Sequence, residues 1–440
     1  MEGFHVLSSL PEKAQPNRFQ ILALVALTAI NMQDGFDILA ISYAASAIQS
    51  DWNIGPAQLG IVFSAALFGM MVGAMLLSPL ADRFGRKPLI VAGLACSGIG
   101  MVIAGVANAV PELVVGRVIT GFGVGGILSS LNTLVAEYAG DRYRGRAVAA
   151  LQLGFPLGAF LSGFLVAWLL DAGSWRYVFG FGALTSFIFV PVVLVLPEST
   201  DFLARSGRKD ALYRINIIKA RFGQEPLLEL PPAKAGSASG LINPVTQLFA
   251  PGQAIRTILL WMAFFILLTI LYFLLSWVPK LLIEEGFSVA EGNLGGRLIN
   301  LAGMGGIVLI GFMSIWVRPS LVTALYLCAL SILLLVISLQ PPQLSALLPV
   351  IAAIGFVIHG AMIGLYATTP ALYPAEIRTT GTGWAIGISR LGAVIGPYAA
   401  GYLLEAGWSP AELFRGFALP ALVGGGIVVL LWQEERRHRV

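Results

Sequence analysis

Asp34-Gly35-Phe36-Asp37 sets two carboxylates one helical turn apart, in the middle of an apolar stretch running from about Phe19 to Tyr43. Three-residue spacing puts both on one face of a helix. The stretch is long enough to cross a hydrocarbon layer of roughly 30 Å. An ionisable side chain at its centre costs at least about 2–3 kcal/mol, and here there are two. Two acids sharing a low-dielectric site are not both comfortably ionised, so the pair is a candidate for taking up and releasing a proton. Neutralisation by a basic partner for packing alone is the bland alternative, and a hydrophobic residue would pack there at lower cost.

Other ionisable residues fall inside apolar stretches. Arg117 lies about six residues into the fourth, some 9 Å deep at roughly 1.5 Å per residue. A guanidinium does not deprotonate, so it must pair with an acid, bind an anion, or both. The span-one acids are its expected partners. Arg390 lies about ten residues into the eleventh stretch, where the second half of the chain offers no acid at that depth. It is a candidate receptor for a substrate carboxylate held by two parallel hydrogen bonds, with pairing to Asp34 or Asp37 as the rival. His359, at mid-depth in the tenth stretch, could donate to a phenolic oxygen, relay a proton, or bond a backbone carbonyl. Arg297, near the end of the eighth, could snorkel to the surface. Tyr366 and Trp384, with Tyr43, Trp277, Tyr272, Phe356 and Tyr398, could wall a ring-shaped ligand. Asp82, Arg83, Arg86 and Lys87 fall between stretches, too far out to touch a mid-depth ligand. Their expected work is conformational, with Glu137, Arg144 and Arg146 joining the same charged face.

The elements that must hold these residues follow from composition. Of 440 residues, 57% are hydrophobic and only 11% charged, with a mean hydropathy of +0.83. Soluble domains carry about 25% charge, so this is the composition of an all-α integral membrane protein. Cys96 and Cys328 sit in apolar stretches without metal-ligand spacing. Apolar runs give twelve spans: 20–44, 57–80, 88–108, 111–136, 146–170 and 175–196, then 257–282, 293–316, 320–339, 343–370, 380–404 and 411–432. The expected organisation is a short segment 1–19, a six-helix bundle 20–196, a polar linker 197–256, a second bundle 257–432 and a tail 433–440. Of the 27 Lys and Arg, 21 fall in the N-terminal segment, the tail, and the linker and loops on that same side. Both termini and the linker are therefore expected in the cytoplasm. No removable signal peptide is expected. The halves echo each other: an offset of 239 carries Gly121, Gly125 and Glu137 onto Gly360, Gly364 and Glu376, and an offset of 238 carries Gly154, Gly158 and Gly163 onto Gly392, Gly396 and Gly401. A duplicated six-span unit explains this, an arrangement suited to alternating access around a midplane site. Under that repeat Arg390 matches the neutral Gln152, so no symmetrical structural need accounts for its charge.

Ser78-Pro79-Leu80-Ala81-Asp82-Arg83-Phe84-Gly85-Arg86-Lys87-Pro88 resembles the GxLaDrxGrkxxl loop of the major facilitator superfamily, with Ser78 in place of its first glycine. Gly116-Arg117-Val118-Ile119-Thr120-Gly121-Phe122-Gly123 is similar to its RxxxGxG pattern. Within the superfamily, Asp34-Gly35-Phe36-Asp37 most resembles the aromatic acid:H+ symporters. So does Tyr373-Pro374-Ala375-Glu376-Ile377-Arg378, followed by Gly381-Thr382-Gly383-Trp384 and Ser389-Arg390-Leu391-Gly392. The resemblance spans essentially the whole chain. It implies the major facilitator fold and proton-coupled import of a hydroxybenzoate-like aromatic acid across a bacterial inner membrane, with no cofactor. Asp34, Asp37 and Arg117 would be the coupling site, and Arg390, His359, Tyr366 and Trp384 the substrate site. Asp82, Arg83, Arg86, Glu137 and Arg144 would do the gating. The expected partners are the substrate, protons and membrane lipid, with no nucleic acid and the chain a monomer. The second-half loop from Gly311 to Ser320 keeps only Gly311, Arg318 and Pro319, which predicts lopsided gating. Carriage of aliphatic mono- or dicarboxylates is the rival within transport, and a transporter-like receptor the rival from another class. The chain has no GxxxxGK[ST], GxSxG or HExxH, so an ion gradient is the expected energy source and catalysis is not expected.

Overall fold

The computed structural model describes residues 17–230, 246–374 and 377–437. The side chain of Asp82, and Glu376 entirely, lie outside the described residues.

Every regular element among the described residues is a helix. Six long helices come first: α1 (Arg18–Trp52), α2 (Pro56–Phe84), α3 (Arg86–Val106), α4 (Val110–Gly140), α5 (Arg142–Asp171) and α6 (Arg176–Val195). Two short ones follow in the polar linker, α7 (Thr200–Arg205) and α8 (Ala211–Arg221). Six more long helices complete the chain: α9 (Ala254–Glu284), α10 (Val289–Met313), α11 (Pro319–Leu339), α12 (Leu344–Leu372), α13 (Arg378–Glu405) and α14 (Pro410–Arg437). Eleven of the long helices are apolar enough over enough length to cross a membrane. The twelfth, α13, has spanning length but is thinned by threonine and glycine. Left-handed glycines separate neighbours: Gly85 at φ 110° between α2 and α3, and Gly140 at φ 66° between α4 and α5.

The chain groups into two compact units. One holds Met1–Asp37, Gly69–Gly158 and Phe179–Ser237, and the other Ile38–Phe68, Ala159–Val178 and Ala238–Val440. In the first, α4 is gripped from two sides by glycines. Gly69 and Gly73 of α2 lie against the carbonyls of Val118 and Phe122, and Gly100 of α3 lies against the Gly116 carbonyl. Gly154 and Gly158 of α5 rest on the carbonyls of Thr28 and Met32 of α1. Leu27, Leu94, Leu131, Leu134 and Leu151 fill the space beneath, and Ile215, Ile218 and Phe222 bring the linker helix α8 onto the same core.

In the second unit, Gly392 and Gly396 of α13 rest on the carbonyls of Phe265 and Thr269 of α9. This repeats the α5-on-α1 contact with the very glycines that the internal repeat pairs. The third glycine of each set also has matched surroundings. Gly163 of α5 faces Arg297 of α10, while Gly401 of α13 faces Pro56 and Gly60 of α2. Span five meets span eight, and span eleven meets span two. Around them Trp277 donates from Nε1 to the Pro397 carbonyl at 3.0 Å and packs edge-on to Phe63 at 5.2 Å. Ser64 and Ser42 donate to the Val394 and Ser276 carbonyls at 2.7 and 2.5 Å.

Glycine at position 100 is required by space. A Cβ there would sit 2.6 Å from the Gly116 carbonyl oxygen, whereas one at Gly145 on α5 meets nothing within 4 Å. Alanine in a helix is otherwise favoured over glycine by about 0.5–1 kcal/mol. Gly100→Ala should therefore lower the melting temperature of the detergent-solubilised protein, while Gly145→Ala leaves it unchanged or raises it. Equal effects would show that the α3–α4 approach does not constrain the fold.

Candidate functional site

Helix α1 buries a run of polar residues. Asn31, Gln33, Asp34 and Asp37 are all less than a tenth exposed. Two of them tie α1 to its neighbours: Asn31 donates from Nδ2 to the Leu151 carbonyl at 2.6 Å, and Gln33 donates from Nε2 to the Ser186 hydroxyl. With the amides committed in this way, Asp34 and Asp37 border a small cavity. Leu94 and Ser97 of α3 and Val124 and Ile127 of α4 complete its wall, and its free volume is about 20 Å3. That is room for one water molecule.

Arg117 is fully buried beside this cavity. Its Nη2 donates to the main-chain carbonyl of Asp37 at 2.9 Å, and its positive charge acts on the Asp37 carboxyl. Ser97 donates from its hydroxyl to Asp37 Oδ2 at 3.4 Å, and the Asp34 charge is also felt at Asp37. Asp37 Oδ1 and the Nε and Nη1 groups of Arg117 have no hydrogen-bond partner among the described residues. The guanidinium thus clamps the backbone of the acid it faces and leaves carboxylate and N–H edges unsatisfied in a nearly dry place. Buried groups in that condition are unfavourable by about 1–3 kcal/mol or more each. A proton, a water or an anion would relieve them. The α3–α4 glycine contact is what brings Arg117 this close, since Gly116 is the residue before it.

In the second half, His359 of α12 is buried against Gly303 of α10. Its Nδ1 lies 3.0 Å from the Gly355 carbonyl. A carbonyl only accepts, so Nδ1 carries the hydrogen, and Nε2 is an acceptor with no partner among the described residues. Tyr366 lies seven residues further along α12, on the same face at about 100° per residue. It packs edge-on to Phe264 at 5.3 Å and sits in the field of the Arg390 guanidinium of α13. Trp384 stacks on Trp261 at 5.8 Å with 19° between the rings, and its other face is exposed. Tyr366 and Arg390 are thus brought together, with Trp384 nearer the start of the same helix as Arg390. Arg297 is partly buried, its guanidinium 4.2 Å over the half-exposed Phe164 ring of α5 and its Nε shielded. The same helix buries Asn293 and Asn300, which no motif marked.

Among the residues expected to gate, Glu137 accepts from the Ser199 hydroxyl at 2.6 Å and the Thr200 amide at 2.9 Å, at the start of α7. Arg86 acts electrostatically on Glu137 and lies over the Phe202 ring at 5.7 Å. Arg83 lies over Phe84 at 5.4 Å, and Arg144 stands exposed on the first turn of α5. Asp82 belongs to the last turn of α2 by its backbone alone. The centre of the cluster is a residue that sequence reasoning passed over. Glu198 accepts from the amides of Arg86 and Lys87 at 3.0 and 3.2 Å, across the N-terminus of α3. Its signal was local: Pro197-Glu198-Ser199 ends a span and opens a capped helix, with Ser199 accepting from the Phe202 amide.

Residues 25–374 match the family model of the Major Facilitator Superfamily. The chain is 31% identical over 421 residues to the 4-hydroxybenzoate transporter PcaK of Acinetobacter baylyi, covering 94% of this chain and 91% of that protein. It is 32% identical to the gallate transporter of Pseudomonas putida, over 92% and 90%. To the 3-(3-hydroxy-phenyl)propionate transporter of Escherichia coli it is 31% identical, over 93% of each. Among solved structures it resembles the D-xylose-proton symporter with a TM-score of 0.72 at 17% identity, over 94% and 97% of the two chains. At that identity the likeness concerns the fold.

Breaking one side of a buried charge pair costs about 3–5 kcal/mol. Asp37→Asn and Arg117→Gln should each lower the melting temperature, and the double variant should lose clearly less than the sum. Additive losses would mean that the two residues are not energetically coupled.

Proposed function

The chain belongs to the major facilitator superfamily, and we propose that it is a symporter importing an aromatic carboxylate of the hydroxybenzoate kind together with protons. It is a multi-pass membrane transporter and not an enzyme. The observation that carries the substrate reading is the similarity, over nine-tenths of both chains, to transporters of 4-hydroxybenzoate, gallate and hydroxyphenylpropionate. Proton coupling rests on the buried acids of α1.

In this reading Asp34 and Asp37 load a proton from outside and release it inside. Arg117 holds the main chain of Asp37, so its charge stands beside the carboxyl while that carboxyl is ionised. Protonation of Asp37 removes the attraction that balances the guanidinium and frees Arg117 to reorganise. Arg390 grips the substrate carboxylate, a role suited to a planar cation with parallel donors. Tyr366 and Trp384 flank the ring. His359 accepts a hydrogen bond at Nε2 from a ring hydroxyl, which selects hydroxylated acids. A site that hydrogen-bonds a hydroxyl rejects an analogue lacking it. Asp82, Arg83, Arg86, Glu137 and Arg144 govern rocking of the two repeats about this site. The protein works as a monomer in the bacterial inner membrane with both termini in the cytoplasm.

The test is uptake of labelled 4-hydroxybenzoate into proteoliposomes with and without an inward proton gradient. Wild type should accumulate it against its gradient, with ring-hydroxylated benzoates competing well, benzoate itself competing weakly and aliphatic acids not competing. Asp34→Asn should lose accumulation at least tenfold, and Arg390→Lys should weaken half-saturation about tenfold, because an ammonium does not replace a bidentate fork. Binding without uptake would make the protein a receptor, and uptake of aliphatic acids alone would overturn the aromatic assignment.

A further inference from the structure

A second cavity, of about 880 Å3, opens beside the linker helices in the first unit, remote in sequence from the α1 acids. Its mouth carries Lys87 at the start of α3 and Arg208, Arg214 and Arg221 from the linker. The one acid that lines it is Glu198, whose carboxylate is spent on the amides of Arg86, Lys87 and Ser199. Arg214 has its own partner in Asp210 at 2.5 Å. Lys87 donates from Nζ to the Leu194 carbonyl at 2.6 Å, a contact that leaves its charge in place. The Lys87 charge feels both the attraction of Glu198 and, more weakly, the repulsion of the Arg221 guanidinium. Like charges drawn together at a cavity mouth favour an anion between them.

The inner wall has a different character. Pro88, Val91, Ala92 and Ala95 run up one face of α3 at helical spacing, and Leu194 and Val195 of α6 stand more than half exposed beside them. Exposed aliphatic residues on spanning helices face acyl chains. The cavity therefore joins a basic rim to an apolar groove that continues into the hydrocarbon layer. A free phosphate or a substrate carboxylate would use only the rim.

We propose that this cavity is a binding site for one anionic phospholipid, its phosphodiester held by Lys87, Arg208 and Arg221 and an acyl chain lying along α3 and α6. Basic pockets at the edge of spanning helices commonly take such headgroups. The site is independent of the transport reading. By occupying the mouth it clips α8 to α3, and it neutralises the Lys87–Arg221 repulsion.

The experiment is native mass spectrometry of the full, delipidated chain titrated with phosphatidylglycerol, phosphatidylcholine or inorganic phosphate, with melting temperature read in parallel. One phosphatidylglycerol should bind at least tenfold more tightly than phosphatidylcholine and raise the melting temperature. The Arg208→Gln/Arg221→Gln double variant changes exposed side chains and should lose about tenfold in that affinity, while Arg415→Gln should not. Ala92→Trp, which fills the groove, should weaken the lipid without altering phosphate binding. Equal binding of the two lipids, with no effect of the double variant, would overturn the site. Phosphate binding as tightly as the lipid, with Ala92→Trp indifferent, would make it a free-anion site and overturn the lipid assignment.

Discussion

Inside a bilayer, helices gain little by hiding apolar surface from one another, because the lipid is as apolar as they are. Close backbone approach has to supply the attraction, and in this chain it takes one recurring form, a glycine set against a carbonyl of the neighbouring helix. Gly69, Gly73 and Gly100 do this around α4, Gly154 and Gly158 do it on α1, and Gly392 and Gly396 do it on α9. The consequences reach the chemistry. Arg117 follows Gly116, whose own contact with Gly100 and Ala104 of α3 fixes the depth and rotation of α4. A few tenths of an ångström there decide whether Nη2 reaches the Asp37 carbonyl at 2.9 Å.

Given that placement, the charge arrangement has two ways to be satisfied. With Asp37 ionised, its carboxylate is balanced by Arg117 and touched only by a long Ser97 hydrogen bond. With Asp37 protonated, the carboxyl becomes a donor and the adjoining cavity, one water in size, offers an acceptor. Neither state satisfies every buried polar atom, since Oδ1 and two guanidinium groups lack partners in the arrangement seen. A fully satisfied network would be a rigid one. In the proposed symport, incomplete satisfaction is what would let a proton shift the balance between conformations, because a ligand moves an equilibrium only through its different affinity for the two states.

The chain's periodicity made most of the architecture legible. Twelve apolar runs became twelve long helices, and the glycines paired by the offset of 238, Gly154 with Gly392 and Gly158 with Gly396, make matching contacts. The acids of α1 stood out because charge in such a run is costly. Less legible were polar residues whose work is to satisfy a neighbour. Ser97, Gln33 and Ser186 look like ordinary tolerated residues in a sequence, since a hydroxyl in a membrane helix can always bond its own backbone. The direction of Arg297 was equally hidden. A long side chain near a span end can turn either way, and Gly163, 134 positions earlier, makes the room in which its stem packs against α5.

Glu198 shows how a contact can be symmetrical where the loop sequence is not. The loop before α11 lacks the charged signature of the loop before α3, Asp82 included, which argues for one-sided gating. Yet the N-terminus of α11 meets a carboxylate as well: Ser320 donates from its hydroxyl to Glu435 Oε2 at 2.8 Å, with Glu435 buried on the last turns of α14. An offset of 237 carries Glu198, just past the end of α6, onto Glu435, in the last turns of α14. In both halves this acid sits on the positive end of the third helix, where the aligned peptide dipoles favour negative charge. The feature common to both halves is therefore an electrostatic contact between the third and sixth helices. A motif confined to a single loop describes only one partner of that contact, so the loop can diverge in one half while the contact persists in both.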